Sequence, residues 1–453
     1  MEIIMQVNDF INGIVWGVPL LVLILATGLF YTIRLGFFQF ARPGFLFRET
    51  IVKAFSKKDE GKPAAGELTS FQAAMTSVAA IVGSGNIAGV ATAIVMGGPG
   101  ALVWMLLAAL IGMATKFAEV TLGIKYREVH NDGSVSGGAM YYLAKGLKQK
   151  WLGVLFSVLV IPYAFVISAV VDTNSIALAL EDRWNVPTLA TGIVLAVLTA
   201  IIIFGGLKRI GHVSAVLAPF MGGLYILGGI AIILLNITHV PAAIVLIVKS
   251  AFNPAAFTGG AVGSIFVCMR YGIARGIYSN EAGLGTAAMV HSSAKVDHPV
   301  EQGIWGAVEV FLDTVLVCSV SALTIVLSGL WDSGLDGAVL TMRAFDLMLP
   351  GNVGGLICLA SLVLFGFSCL ISFYTYAERA AEYIFGGNSK FVIKILWVVM
   401  IVVGSQTTLG FAWDLADTIN GLMIIPNLIG ILLLSNEVVK LKRDYFRDVK
   451  VTK

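Results

Sequence analysis

The residues best suited to chemistry sit where they weaken otherwise apolar segments. In "AAIVGSGNIAGVATAIV" (79–95), Gly83, Ser84, Gly85 and Asn86 interrupt a run of aliphatic side chains. A second interruption, "MRYGIARGIYSNEAGLGTA" (269–287), holds Gly272, Gly276, Gly283 and Gly285 with Arg270, Arg275, Asn280 and Glu281. A helix broken at depth presents free carbonyls at one stub, which suit a cation. It presents free N–H groups at the other, which suit a carboxylate. A glycine such as Gly85 can take a positive φ and let a ligand approach its N–H. Close helix packing also recruits glycine, so either break alone admits a structural reading; the pairing of two breaks favours a ligand site. The rival chemistry is nucleophilic, through Ser84 between its glycines, but such a serine needs a base within reach. All five histidines (His130, His212, His239, His291, His298) fall in loops or at the ends of apolar runs. No metal-ligand spacing occurs either. The chain is read as a binding protein, neither an enzyme nor the holder of a cofactor.

These residues need a membrane scaffold. The 453-residue chain is 58% hydrophobic and only 13% charged, with a mean hydropathy of +0.89, where soluble domains carry about 25% charged residues. Apolar runs long enough to cross a bilayer recur throughout. Eleven spans are predicted, at 13–33, 70–96, 100–122, 151–179, 187–204, 212–235, 258–289, 300–327, 351–377, 391–409 and 413–434. They make one all-α transmembrane domain over 1–453, without soluble domain or cleaved signal peptide. The two interruptions fall in spans 2 and 7, five spans apart. Spans 2–6 (70–235) and 7–11 (258–434) are therefore read as inverted repeats with discontinuous first helices, and span 1 (13–33) as peripheral. Segments 239–252 and 336–349 read as amphipathic surface helices, and 136–150 as another on the opposite face. The four cysteines (Cys268, Cys318, Cys358, Cys369) read as packing residues.

Lys and Arg set the orientation. With 34–69 placed in the cytoplasm, 23 of them fall in inside segments, against Arg183, Lys249 and Arg343 outside. The positive-inside rule then puts the N-terminus outside and the C-terminus in the cytoplasm of a plasma-membrane protein. The net charge of +3 is this bias rather than a nucleic-acid surface. Polar residues within spans are functional candidates with structural alternatives. Asp172, Thr173, Asn174 and Ser175, in the outer third of span 4, could meet a substrate amine, form an outer gate, or bond a neighbouring helix. Arg275 could bind a carboxylate or pair with Glu119, Glu281 or Glu309 to close an inner gate; Arg270 has the same options. The gate set is Asp172, Arg275 and Glu281. Lys116 and Glu378 read as snorkelling to the cytoplasmic face. Ser368, Ser372 and Thr375 share one face of span 9, though serines also bond their own i−4 carbonyls.

Three stretches, "GGPGALVWMLLAALIG" (97–112), "GMATKFAEVTLGIKYRE" (112–128) and "RGIYSNEAGLGTA" (275–287), resemble the alanine/glycine:cation symporter family. The first departs from the family pattern at Val103 and Leu106, around Trp104. The similarity runs through essentially all spans. It implies sodium- or proton-driven uptake of alanine or glycine by alternating access, on a leucine-transporter-like scaffold of five plus five helices acting as a monomer. By that resemblance, backbone N–H groups of Gly83, Ser84, Gly85 and Asn86 would hold the substrate carboxylate, with Thr76, Asn174, Met269 and Gly272 completing the substrate site. The Asn86 side chain and Ile81 carbonyl, with Asp313 and Thr314 of span 8, would bind one sodium ion. A second would use the Ala79 and Val82 carbonyls with Ser368, Ser372 and Thr375. Span 6 has no lysine to stand in for the second ion, which favours Na⁺ over the alternative, proton coupling. A channel is disfavoured by the paired inverted breaks.

Overall fold

The computed structural model describes residues 2–55, 68–130, 135–253, 265–407 and 409–451, almost all of them helical. Among the described residues, six helices are long and apolar enough to cross a membrane, or eight when each of two bent pairs counts as one span. The eleven expected spans each correspond to helical segments. Three fall short on length: Thr188–Ile203, Ile265–Asn280 and Ser389–Gly404. The expected start of span 7, at 258–264, lies outside the described residues.

Span 2 begins at a reciprocal cap that satisfies two end donors. The Thr69 hydroxyl accepts from the Gln72 N–H at 3.1 Å, and the Gln72 side chain accepts from the Thr69 N–H at 3.1 Å. The helix runs Ser70–Ile81, breaks at Val82, Gly83 and Ser84, and resumes over Gly85–Gly97 with a bend of 47°. Ala101–Lys125 packs beside it, and the long helix Val353–Phe385 crosses behind. The helix preceding Ala287–His291 stops at Asn280, and the chain between them is irregular. Span 1 is bent near Pro19 and packs on span 11, where Trp16 donates to the Asp417 carbonyl at 2.9 Å.

One end of the bundle carries the expected surface helices, Val240–Phe252 and Gly337–Met348. Ala251 presses against Gly100 there, closely enough that no Cβ would fit on the glycine. The other end carries two short strand pairs: Leu68–Thr69 with Ala294–Lys295, parallel, and Glu128–Val129 with Val135–Ser136, antiparallel. These ends are called the surface-helix face and the strand face below. Large exposed side chains such as Val194, Val216, Leu227, Leu234 and Leu396 point outward from the bundle, as lipid contact requires.

Candidate binding site at the helix breaks

The break in span 2 is fully buried, and its backbone is met by polar groups from four other helices. Within the break, the Gly83 N–H donates to Asn86 Oδ1 at 2.8 Å. The Asn86 amide reaches across to Asp313 Oδ1 at 2.6 Å. Asp313 Oδ2 accepts from the hydroxyls of Ser279 and Thr314, each at 2.8 Å, and Asn280 donates to Thr314 at 3.0 Å. So the two side chains expected at the first cation site, Asn86 and Asp313, are in contact, with Thr314 beside them. Asp313 is completely buried and, among the described residues, makes no ion pair within 4 Å. An ionised carboxylate held only by neutral donors at such depth is costly without a cation.

The expected face of span 9 also meets the break. Ser368 donates to the Ala79 carbonyl at 2.8 Å, and the Cys369 thiol lies 3.1 Å from the Ala80 carbonyl. The Ser372 hydroxyl is buried with no hydrogen-bond partner, while Thr375 bonds to the Ser372 carbonyl at 2.6 Å. One hydroxyl of span 9, that of Ser368, thus meets a backbone oxygen of span 2; oxygens of this kind are the hard donors an alkali cation prefers.

Asp172 stands at the level of the break rather than toward a gate. Its Oδ1 accepts from the Ser84 hydroxyl at 2.5 Å and from the Ser84 N–H at 3.3 Å. Its Oδ2 is buried and accepts no hydrogen bond. The carboxylate therefore occupies one of the N–H groups expected to face a substrate carboxylate, and keeps a second oxygen without a hydrogen bond. The φ of Gly85 is not positive, contrary to expectation. Glycine is required there for close approach instead, since a Cβ would lie 2.9 Å from the Tyr278 ring. In span 7 the left-handed backbone is real: Glu281, Gly283 and Gly285 have φ of 57°, 103° and 77°.

Three of the helices around the site widen locally to π-helix, at Gly85–Gly89, Phe165–Asp172 and Phe311–Cys318. Asn86, Asp172 and Asp313 each lie in one of them. An i→i+5 turn shifts side-chain direction and loosens the backbone ladder, and such turns gather at functional sites.

The expected gate is corrected. Arg275 pairs with Asp417 and lies over the Trp413 ring at 4.6 Å, on the surface-helix side of the break. It touches none of Glu119, Glu281 and Glu309. Tyr278 packs on Trp413 with centroids 4.8 Å apart. A cavity of about 520 Å³, lined by Arg270, Arg275, Asp336, Trp413 and Asp417 among others, opens on that side and ends at this lid. Arg270 donates to Asn12 at 2.7 Å. Glu281 instead collects hydroxyls, from Tyr163 and Thr286 at 2.8 Å and Tyr376 at 3.1 Å. Lys116 does not snorkel. It is fully buried, donating to the Asn280 carbonyl at 2.7 Å and pairing with Glu309 at 3.0 Å. His291, at the end of the helix Ala287–His291, is buried against Glu309 at 3.2 Å and bonds Gln302 at 2.7 Å. Gln302 in turn accepts from Ser70 at 2.7 Å. This chain ties spans 2, 3, 7 and 8 together on the strand-face side.

Four expected substrate residues make other contacts. Thr76 bonds its own helix, at the Gln72 carbonyl 2.7 Å away. Asn174 donates to the carbonyls of Gly404 at 3.4 Å and Thr407 at 2.5 Å. A Cβ on Gly272 would lie 2.9 Å from Trp104 Cβ, which marks helix packing. Met269 sits near the far end of Ile265–Asn280, half-buried. Sequence reasoning missed Tyr278, Trp413, Asp417, Ser279 and Cys369. Only Asp417 carried a usable signal, as an acid within an apolar run.

A family model described as "Sodium:alanine symporter family" matches residues 1–453. The chain is 43% identical over 447 residues to the "Sodium/alanine symporter AgcS" of Methanococcus maripaludis, covering 97% of this chain and 96% of that one. It is 39% identical to the "Amino-acid carrier protein AlsT" of Bacillus subtilis, covering 98% and 93%. Among solved structures it is similar to MhsT in complex with L-phenylalanine, with a TM-score of 0.61, 17% identity, and coverage of 83% and 90%. At that identity the likeness concerns the fold.

Proposed function

The chain belongs to the sodium:alanine symporter family, and on that premise we propose that it couples Na⁺ entry to uptake of a small neutral amino acid, alanine or glycine, by alternating access between inverted five-helix repeats. The observation that carries this reading is Asp172, which meets the break through Ser84 and keeps a second oxygen, Oδ2, buried without a hydrogen bond. A substrate ammonium placed there satisfies the carboxylate by a charge-assisted bond. The substrate carboxylate then replaces Asp172 at N–H groups of the break. Cys369 against Gly83 and the Tyr278 ring against Gly85 crowd the α-carbon, which favours a hydrogen or a methyl over a longer side chain. One Na⁺ binds at Asp313 and Asn86, neutralising a carboxylate that would otherwise be buried without a counter-charge. Another binds between the Ala79 carbonyl and Ser368 and Ser372. Substrate and ion thus complete one polar cluster, so each raises the affinity of the other. Arg275–Asp417, with Trp413 and Tyr278, forms the barrier on the surface-helix side; Lys116–Glu309–His291 forms the one on the strand side. Proton coupling is the second reading, favoured by the buried His291 in that chain.

Asp172→Asn tests the site. The amide keeps the shape and removes the charge that pairs with the ammonium. Titration of alanine into the purified protein at saturating Na⁺ is expected to show affinity weakened roughly ten- to a hundredfold, with a melting temperature close to that of the unmodified chain. Unchanged affinity would remove Asp172 from the site.

A further inference from the structure

Where span 1 ends and the C-terminal helix begins, the fold builds a basic recess unrelated to the helix breaks. Span 1 closes with Arg34 at the end of Val18–Arg34, and the chain turns through Leu35, Gly36 and Phe37. The helix Ser435–Val451, which follows span 11, lies against this turn. Between them is a cavity of about 670 Å³ whose wall holds Arg34, Arg42, Lys442, Arg443 and Arg447 and, among the described residues, no carboxylate-bearing one.

Arg34, Arg42 and Lys442 meet neutral partners and rings there. Arg34 donates to Ser435 at 3.0 Å and Asn436 at 2.9 Å. Arg42 lies 5.0 Å from the Phe446 ring centre, and Lys442 lies 5.7 Å from those of Phe38 and Phe446. Lys442 also donates to the Leu35 carbonyl. Its burial, with Arg42 nearby, lowers its pKa below the ordinary lysine value. Among the described residues, the one ion pair these five cations make is that of Arg447 with Asp444, at 3.6 Å on the same helix.

The surroundings are apolar on the bilayer side. Ile33, Phe37 and Phe40 are 55%, 49% and 46% exposed, and Leu29 one turn earlier is 50% exposed. A basic recess continuous with a lipid-facing apolar stripe matches one amphiphile: phosphate in the recess, acyl chains along the stripe. We infer that this recess is a binding site for the phosphate headgroup of an anionic membrane phospholipid, and that the bound lipid staples the C-terminal helix to the end of span 1.

The test uses the full chain purified in detergent, with thermal melting and native mass spectrometry as readouts. Phosphatidylglycerol is expected to raise the melting temperature and remain bound, whereas phosphatidylcholine and free glycerol phosphate at equal concentration do neither. Arg42 and Arg443 are both exposed at the rim, so Arg42→Gln with Arg443→Gln is expected to leave the lipid-free melt unchanged. The double change should weaken phosphatidylglycerol binding about tenfold or more, since each cation near an anionic surface contributes about 1 kcal/mol. Should the double variant melt lower without lipid, Arg443→Gln alone is compared and a several-fold weakening is expected. Equal stabilisation by phosphatidylcholine would overturn the inference. So would binding of free glycerol phosphate as tight as that of the lipid, or undiminished phosphatidylglycerol binding by the variants.

Discussion

At the scale of single residues, the site separates into groups already satisfied and groups waiting for a partner. Ser368 spends its hydroxyl on the Ala79 and Phe365 carbonyls, whereas Ser372, one turn on, is buried and unbonded. A buried hydroxyl without a partner costs about 1–3 kcal/mol, which a bound cation would relieve. Ser372→Ala is therefore expected to raise the Na⁺ concentration for half-maximal alanine binding several-fold, with alanine affinity at saturating Na⁺ little changed. Sodium dependence identical to that of the unmodified protein would place Ser372 outside the ion site. Asn86 and Ser368 were singled out by residue type and position within apolar runs, and Asp313 and Thr314 through the family resemblance. Thr76, Asn174 and Gly272 show the limit of that reading. Their types suit a ligand, but helix rotation turns Thr76 onto its own backbone, Asn174 onto the end of span 10, and Gly272 onto Trp104. No single-sequence pattern reports that rotation.

At the scale of elements, the two breaks were legible because glycine and polar residues have few other reasons to cluster in long apolar runs. What the breaks do was only half legible. Span 2 breaks through a bend without positive φ at Gly85, and span 7 through left-handed residues at Glu281, Gly283 and Gly285. The π-helical stretches that aim Asn86, Asp172 and Asp313 carry no sequence signal, because any residue type tolerates the wider turn. The charged pairs were misassigned because sequence reports neither the partner of a charge, as at Arg275, nor always its depth. Lys116 was expected at the surface and is buried in a pair with Glu309. Removing one member of such a pair leaves an uncompensated charge at a cost of about 3–5 kcal/mol. Glu309→Gln is therefore expected to lower the melting temperature markedly. Lys116→Met combined with Glu309→Gln should recover most of that loss. A double variant as unstable as the single one would mean that Glu309 stabilises the bundle chiefly through His291 rather than through Lys116.

At the scale of the whole molecule, the account joins the closed break to a directional transport cycle. The surface-helix face holds a cavity of about 520 Å³ lined by Arg275, Asp417 and Trp413, and the Lys and Arg bias predicts that this face lies outside. Gly410 lines that cavity and Gly387 lies on the opposite face, both with open space around the Cβ position. The native cysteines are all buried, so single introduced cysteines report cleanly. In right-side-out membranes, Gly410→Cys is expected to react with an impermeant thiol reagent and Gly387→Cys only after permeabilisation; the reverse pattern would invert the topology. The central claim is coupling of amino-acid uptake to Na⁺. Its most direct test is uptake of labelled alanine into proteoliposomes under an imposed inward Na⁺ gradient, beside an inward proton gradient in Na⁺-free buffer. Accumulation above equilibrium with the Na⁺ gradient and none with the proton gradient alone is the predicted result; equal accumulation driven by protons without Na⁺ would contradict it.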